Sequence, residues 1–91
     1  MSDLLESLRQ SISCYVGKTV FVTNTDDNCI LIAIPLHIPK IEFVFSEILR
    51  NCNIPLIRYS HKGGFHFYKI SNEYKNELAR LSFFLKVYKN V

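Results

Sequence analysis

The sequence predicts an α+β domain in which a helix is followed by two ββα units, giving a four-stranded antiparallel sheet packed with three helices. Three observations predict it. Apolar residues recur at helical spacing in three separate segments, and two turn clusters each lie between β-rich runs. The turns at Asp26-Asp27 and Gly63-Gly64 are 37 residues apart, so a hairpin followed by a helix occurs twice. Each amphipathic helix needs an apolar sheet face to cover, and one shared sheet is the economical solution. The repetition is one of shape, because the residues of the two units do not match.

The first helix is expected over DLLESLRQSISCYVG, capped by Asp3 with Glu6 three residues on, and ended by Gly17. Leu4, Leu5, Leu8, Ile12 and Tyr15 form its apolar stripe. KTVFVTNT and NCILIAI then read as a hairpin around an Asp-Asp-Asn cluster, with Pro35 and Pro39 bracketing its exit. A two-residue turn at Asp26-Asp27 sets Thr19, Phe21 and Thr23 with Ile30, Ile32 and Ile34, and Val20 and Val22 with Leu31 and Ala33. Both faces are then apolar, as in a strand pair covered on two sides. Either the first helix or a second copy of the chain must cover the further face, and we expect a homodimer.

Helical period returns from Lys40 to about Asn51, with Pro39 at the first helical position and Ile41, Val44, Phe45, Ile48 and Cys52 on one face. LIRYSHKGGFHFYKI follows as a second hairpin, in which Gly63 and Gly64 permit the positive φ of a tight primed turn. Asn72 caps the last helix, where Tyr74, Leu78, Leu81, Leu85 and Tyr88 form a stripe widened by Ala79, Phe84 and Val87. Glu73 near its start and Lys86 and Lys89 near its end suit the helix dipole.

A chain of 91 residues has room for one domain, residues 1–91, and its 48% hydrophobic content places it well away from disorder. The longest apolar run, CILIAIPL, is far short of the roughly 18 residues of a membrane span, so no membrane partner is expected. Three cysteines without CxxC spacing, and no apolar leader, point to a reducing cytoplasmic setting. The weighting toward Ile, Asn, Lys, Phe and Tyr fits an AT-rich coding sequence, as many phages, viruses and parasites have. Charge is lopsided. Residues 1–54 carry four Lys or Arg against six Asp or Glu, and residues 55–91 carry seven against two, which favours an anionic partner for the last third.

That partner has a candidate surface. With a two-residue turn at Gly63-Gly64, Arg58 faces Lys69, Ser60 faces Phe67 and Lys62 faces Phe65 on one side of the ribbon. The other side carries Ile57 with Ile70, Tyr59 with Tyr68 and His61 with His66, and reads as core that grades from apolar at the strand bases to imidazole near the turn. Like charges at Arg58 and Lys69 resist burial unless water or an anion separates them, so the first side is expected to face solvent. Phe65 and Phe67 beside Arg58, Lys62 and Lys69 are then suited to stack bases and neutralise phosphates of single-stranded DNA or RNA, with Lys86 and Lys89 assisting. The alternative is that the cations only protect a sheet edge while the two rings pack under the third helix or a loop.

Catalytic chemistry is not expected. Cys14, Cys29, Cys52, His37, His61 and His66 lack zinc-ligand spacing, and His61 and His66 read as surface histidines. No Gly-rich phosphate loop, GxSxG or HExxH occurs, and Asp26 and Asp27 read as turn formers, so neither cofactor nor metal is implied. The helix, hairpin, helix, hairpin, helix order resembles one repeat of the LAGLIDADG homing endonucleases, and IRYSHKGGFHFYKISNEYKNELARLSFFL has something of the rhythm of its second half. That family ends its first helix in an acidic metal ligand before glycine. SCYVG offers Val16 before Gly17, so the resemblance stops at the order of elements and does not imply nuclease activity. The expected function is that of a small non-enzymatic nucleic-acid-binding regulator. A protein-interaction module, such as a viral or mobile-element accessory or inhibitor protein acting on a host protein, is the alternative. It would use the apolar face of the first hairpin or the last helix.

Overall fold

A computed structural model describes residues 3–35 and 41–89, with side chains described for 4–35 and 45–85. The elements follow the predicted order: α1 (Asp3–Val16), β1 (Phe21–Asn24), β2 (Cys29–Pro35), α2 (Ile41–Asn51), β3 (Arg58–Lys62), β4 (Phe65–Ser71) and α3 (Lys75–Lys89), the last entered through a 3-10 turn at Asn72–Tyr74. The strands form one antiparallel sheet in the order β1-β2-β4-β3, so each hairpin contributes one central and one edge strand.

All three helices supply the same core. Leu8 and Ile12 of α1, Phe45 and Leu49 of α2, and Leu78, Leu81 and Leu85 of α3 close over Val20, Ile30, Ile32, Ile34, Tyr68 and Ile70, all of them buried. The Phe45 and Tyr68 rings meet edge to face with centroids 4.9 Å apart. α1 and α3 cross on small residues: the Ser82 hydroxyl lies 2.7 Å from that of Ser11 and 3.1 Å from that of Ser7. Mutual hydrogen bonding is what lets these polar groups sit in the interior. Gly17, at φ 80°, ends α1 and donates its N–H to the Ser13 carbonyl at 2.8 Å.

The first hairpin departs from expectation. Its loop holds three residues, Asp26, Asp27 and Asn28, with Thr25 N–H donating to the Cys29 carbonyl at 2.9 Å and Asn28 left-handed at φ 61°. This is a type I turn followed by an αL residue, the usual three-residue hairpin geometry. The extra residue moves the register by one, so Phe21 pairs with Ala33, Val22 with Ile32 and Thr23 with Leu31. A shift of one exchanges cross-strand companions. Val20 and Val22 therefore join Ile30, Ile32 and Ile34 on the helix side, and Phe21, Thr23, Leu31 and Ala33 share the other.

Smaller corrections follow from packing. The cap before the 3-10 turn is Ser71, whose hydroxyl accepts from the Glu73 N–H, while Asn72 binds Asn28 through its side chain at 3.1 Å and its backbone at 3.2 Å. Ala79 and Phe84 are exposed, so α3 buries a narrower stripe that includes Ser82. Ile57 precedes β3 at the sheet edge and is exposed, with its N–H held by the Lys69 carbonyl at 2.8 Å. Glu6 pairs with Arg9 along α1. The expectation for Pro39 lies outside the described residues, as do those for the Asp3, Ile41, Val44, Val87 and Tyr88 side chains.

Candidate nucleic-acid interface

The sheet face turned away from the helices carries no helix among the described residues. Three of its ladder rows carry the candidate residues. One runs Thr23, Leu31, Lys69, Arg58; the next Phe21, Ala33, Phe67, Ser60; the last Pro35, Phe65, Lys62. Apolar groups thus gather on β1, β2 and β4, and cations along β3 and the adjoining end of β4. The second hairpin has the expected register, because Gly63 and Gly64 at φ 59° and 86° make the two-residue primed turn that no β-branched residue would tolerate.

The five hairpin residues therefore stand on one face. Arg58 and Lys62 are exposed, and neither has an acidic partner among the described residues. Phe65 and Phe67 are half-buried, with centroids 6.2 Å apart. Along β4 they alternate with buried His66, Tyr68 and Ile70 of the helix side. Phe21, which a two-residue turn would set with Ile30, Ile32 and Ile34, extends the row: it is 55% exposed and meets Phe65 edge to face at 5.8 Å. The signal that identifies it is Asn28, since asparagine is the side chain other than glycine that most readily adopts αL.

Lys69 is engaged differently from Arg58 and Lys62. Its ammonium donates to the Asp27 carboxylate at 2.6 Å, and Asp27 also accepts from the Thr25 hydroxyl. The hydrogen bond from Lys69 is the main reason why the Asp27 carboxyl falls from its ordinary 3.8 to about 2. Reciprocally, Asp27 raises the Lys69 pKa, against a smaller opposing effect of Arg58. One of the two like charges is thus neutralised by a carboxylate from the tip of the first hairpin. The expectation that Lys86 and Lys89 assist this group falls on side chains outside the described residues. Both residues lie on α3, in the helix layer behind the sheet.

The histidines also differ from expectation. His61 on edge strand β3 is exposed, but His66 on central strand β4 is buried, its Nδ1 2.6 Å from the Tyr59 hydroxyl and its ring stacked on that of Tyr59. Cys29 is buried, Cys52 half-buried with its thiol pKa raised by burial, and Cys14 exposed. Among the described residues no group of three His, Cys, Asp or Glu is placed to hold a metal ion, and no helix is long and apolar enough to cross a membrane. Neither a protein-family model, nor a curated protein, nor a solved structure matches this chain.

Proposed function

We propose that the protein binds single-stranded nucleic acid on the open face of its sheet and acts as a non-catalytic regulator through that binding. One observation carries the reading: Phe21, Phe65 and Phe67 share with Arg58, Lys62 and Lys69 the sheet face on which no helix lies among the described residues. Phenyl rings offer stacking surface to any base, and each such contact contributes about 1–3 kcal/mol. The cations neutralise phosphates, which makes affinity fall steeply with salt. A single strand fits better than a duplex, whose bases are already stacked inside.

Fluorescence anisotropy of a labelled single strand at two salt concentrations tests this. Binding should weaken at higher salt, and Phe67→Ala should weaken it further at both. The combined change Arg58→Glu and Lys62→Glu should abolish it. Unchanged affinity in that double variant would refute the assignment, as would tighter binding of the matching duplex.

A second reading is favoured by α3, where Phe83 is 71% exposed and Phe84 42%. Large exposed apolar groups mark protein contacts, and a docking surface on this helix leaves the sheet free. A second copy of the chain, or a host protein, is the occupant it would take. Light scattering during size-exclusion chromatography gives the mass, and Phe83→Glu should convert a dimer to a monomer without altering nucleic-acid binding.

A further inference from the structure

Two depressions adjoin on the open face, sharing Leu31 and Phe67. One, of about 250 Å³, is lined by Thr25, Leu31, Arg58, Ser60, Phe67 and Lys69. The other, of about 240 Å³, is lined by Phe21, Thr23, Leu31, Ala33, Phe65 and Phe67. The first offers two cations and two hydroxyls, and the second three phenyl rings. A nucleotide has matching parts, a phosphate and a flat base separated by a sugar. In the free protein, however, the Asp27 carboxylate already holds the Lys69 ammonium and the Thr25 hydroxyl, two groups that a phosphate in the first depression would use.

We propose that the Arg58, Ser60 and Lys69 depression is a phosphate subsite guarded by Asp27, and that the adjoining phenyl-lined depression takes the base of the same nucleotide. This rests on the nucleic-acid reading above. An incoming phosphate displaces the carboxylate, which swings into water at the hairpin tip. The exchange is feasible because an exposed ion pair is weak and readily replaced. Asp27 is thus an internal competitor that lowers affinity for any single anion and leaves polyanions able to bind through Arg58 and Lys62 as well. The apolar base depression offers stacking in place of edge-on hydrogen bonds, so binding depends little on sequence.

Anisotropy titrations of a labelled oligothymidylate against the full chain test the proposal. Asp27→Asn, whose fold is checked by circular dichroism, should bind several-fold tighter and steepen the dependence of log affinity on log salt by about one. Combined with Lys69→Met, the same change should give no gain over Lys69→Met alone. An abasic strand of equal length should keep the gain from Asp27→Asn and bind less tightly overall. Wild type that binds in a salt-dependent way while Asp27→Asn binds no better would overturn the guarded subsite and leave the nucleic-acid reading standing. Equal binding of abasic and thymidylate strands would overturn the base depression. Absence of binding by both wild type and Asp27→Asn at low salt would overturn both readings.

Discussion

Replacing Asn28 by alanine and by glycine separates two contributions that this residue makes to the fold. Its backbone is left-handed, at φ 61°, a conformation that costs an ordinary L-residue about 1–2 kcal/mol and glycine almost nothing. Its side chain also accepts a hydrogen bond from Asn72 at 3.1 Å. That bond is exposed, so it contributes at the low end of about 0.5–1.5 kcal/mol. Asn28→Ala loses both and should destabilise the protein by about 2 kcal/mol, whereas Asn28→Gly loses only the hydrogen bond and should cost about 0.5 kcal/mol. For a domain of this size each kcal/mol lowers the melting temperature by about 4–8 °C. The alanine variant should therefore melt several degrees below the glycine variant when unfolding is followed by circular dichroism. Equal melting temperatures would refute the left-handed assignment. The three-residue loop would fall with it, and so would the register that places Phe21 beside Phe65 and Phe67.

Two further outcomes follow from burial and charge. Leu81 is fully buried at the centre of the α3 stripe, so Leu81→Ala should cost about 2–5 kcal/mol in urea unfolding, a large share of a marginal total of about 5–15 kcal/mol. A loss below 1 kcal/mol would mean that α3 does not pack there. Asp27 has its pKa lowered from 3.8 to about 2, so its pairing with Lys69 stabilises the fold above pH 3.8 and ceases to do so as the pH falls through about 2. An NMR titration of the Asp27 carboxyl should give that low value in the wild type and a higher one in Lys69→Met. Ordinary titration in the wild type would show that the pair does not persist in solution.

The element order and the second hairpin were legible in the sequence because the signals are local. Gly63 and Gly64 admit few turns, and once the turn is set, alternation assigns Arg58, Lys62, Phe65, Phe67 and Lys69 to one side. The first hairpin is less legible for a related reason: Asp26, Asp27 and Asn28 contain no glycine, and counting Asn28 as a strand residue shortens the loop by one. Other features are non-local. That His66 is buried and His61 exposed follows from β4 being central and β3 an edge, which neither strand records in its own alternation. The hold of Asp27 on Lys69 joins residues from different hairpins and leaves no mark at either position.

The strand order has a consequence for how the molecule comes together. β2 and β4 meet along a seam where Ile30 pairs with Ile70 and Ile32 with Tyr68, so the middle of the sheet is stitched from distant parts of the chain. Each hairpin is paired within itself, but neither closes a core until the other arrives, and a protein cut between α2 and β3 would yield two fragments with the seam edges of β2 and β4 unpaired. Ordering is therefore all or nothing. The face that carries the rings and cations exists only once the seam has closed.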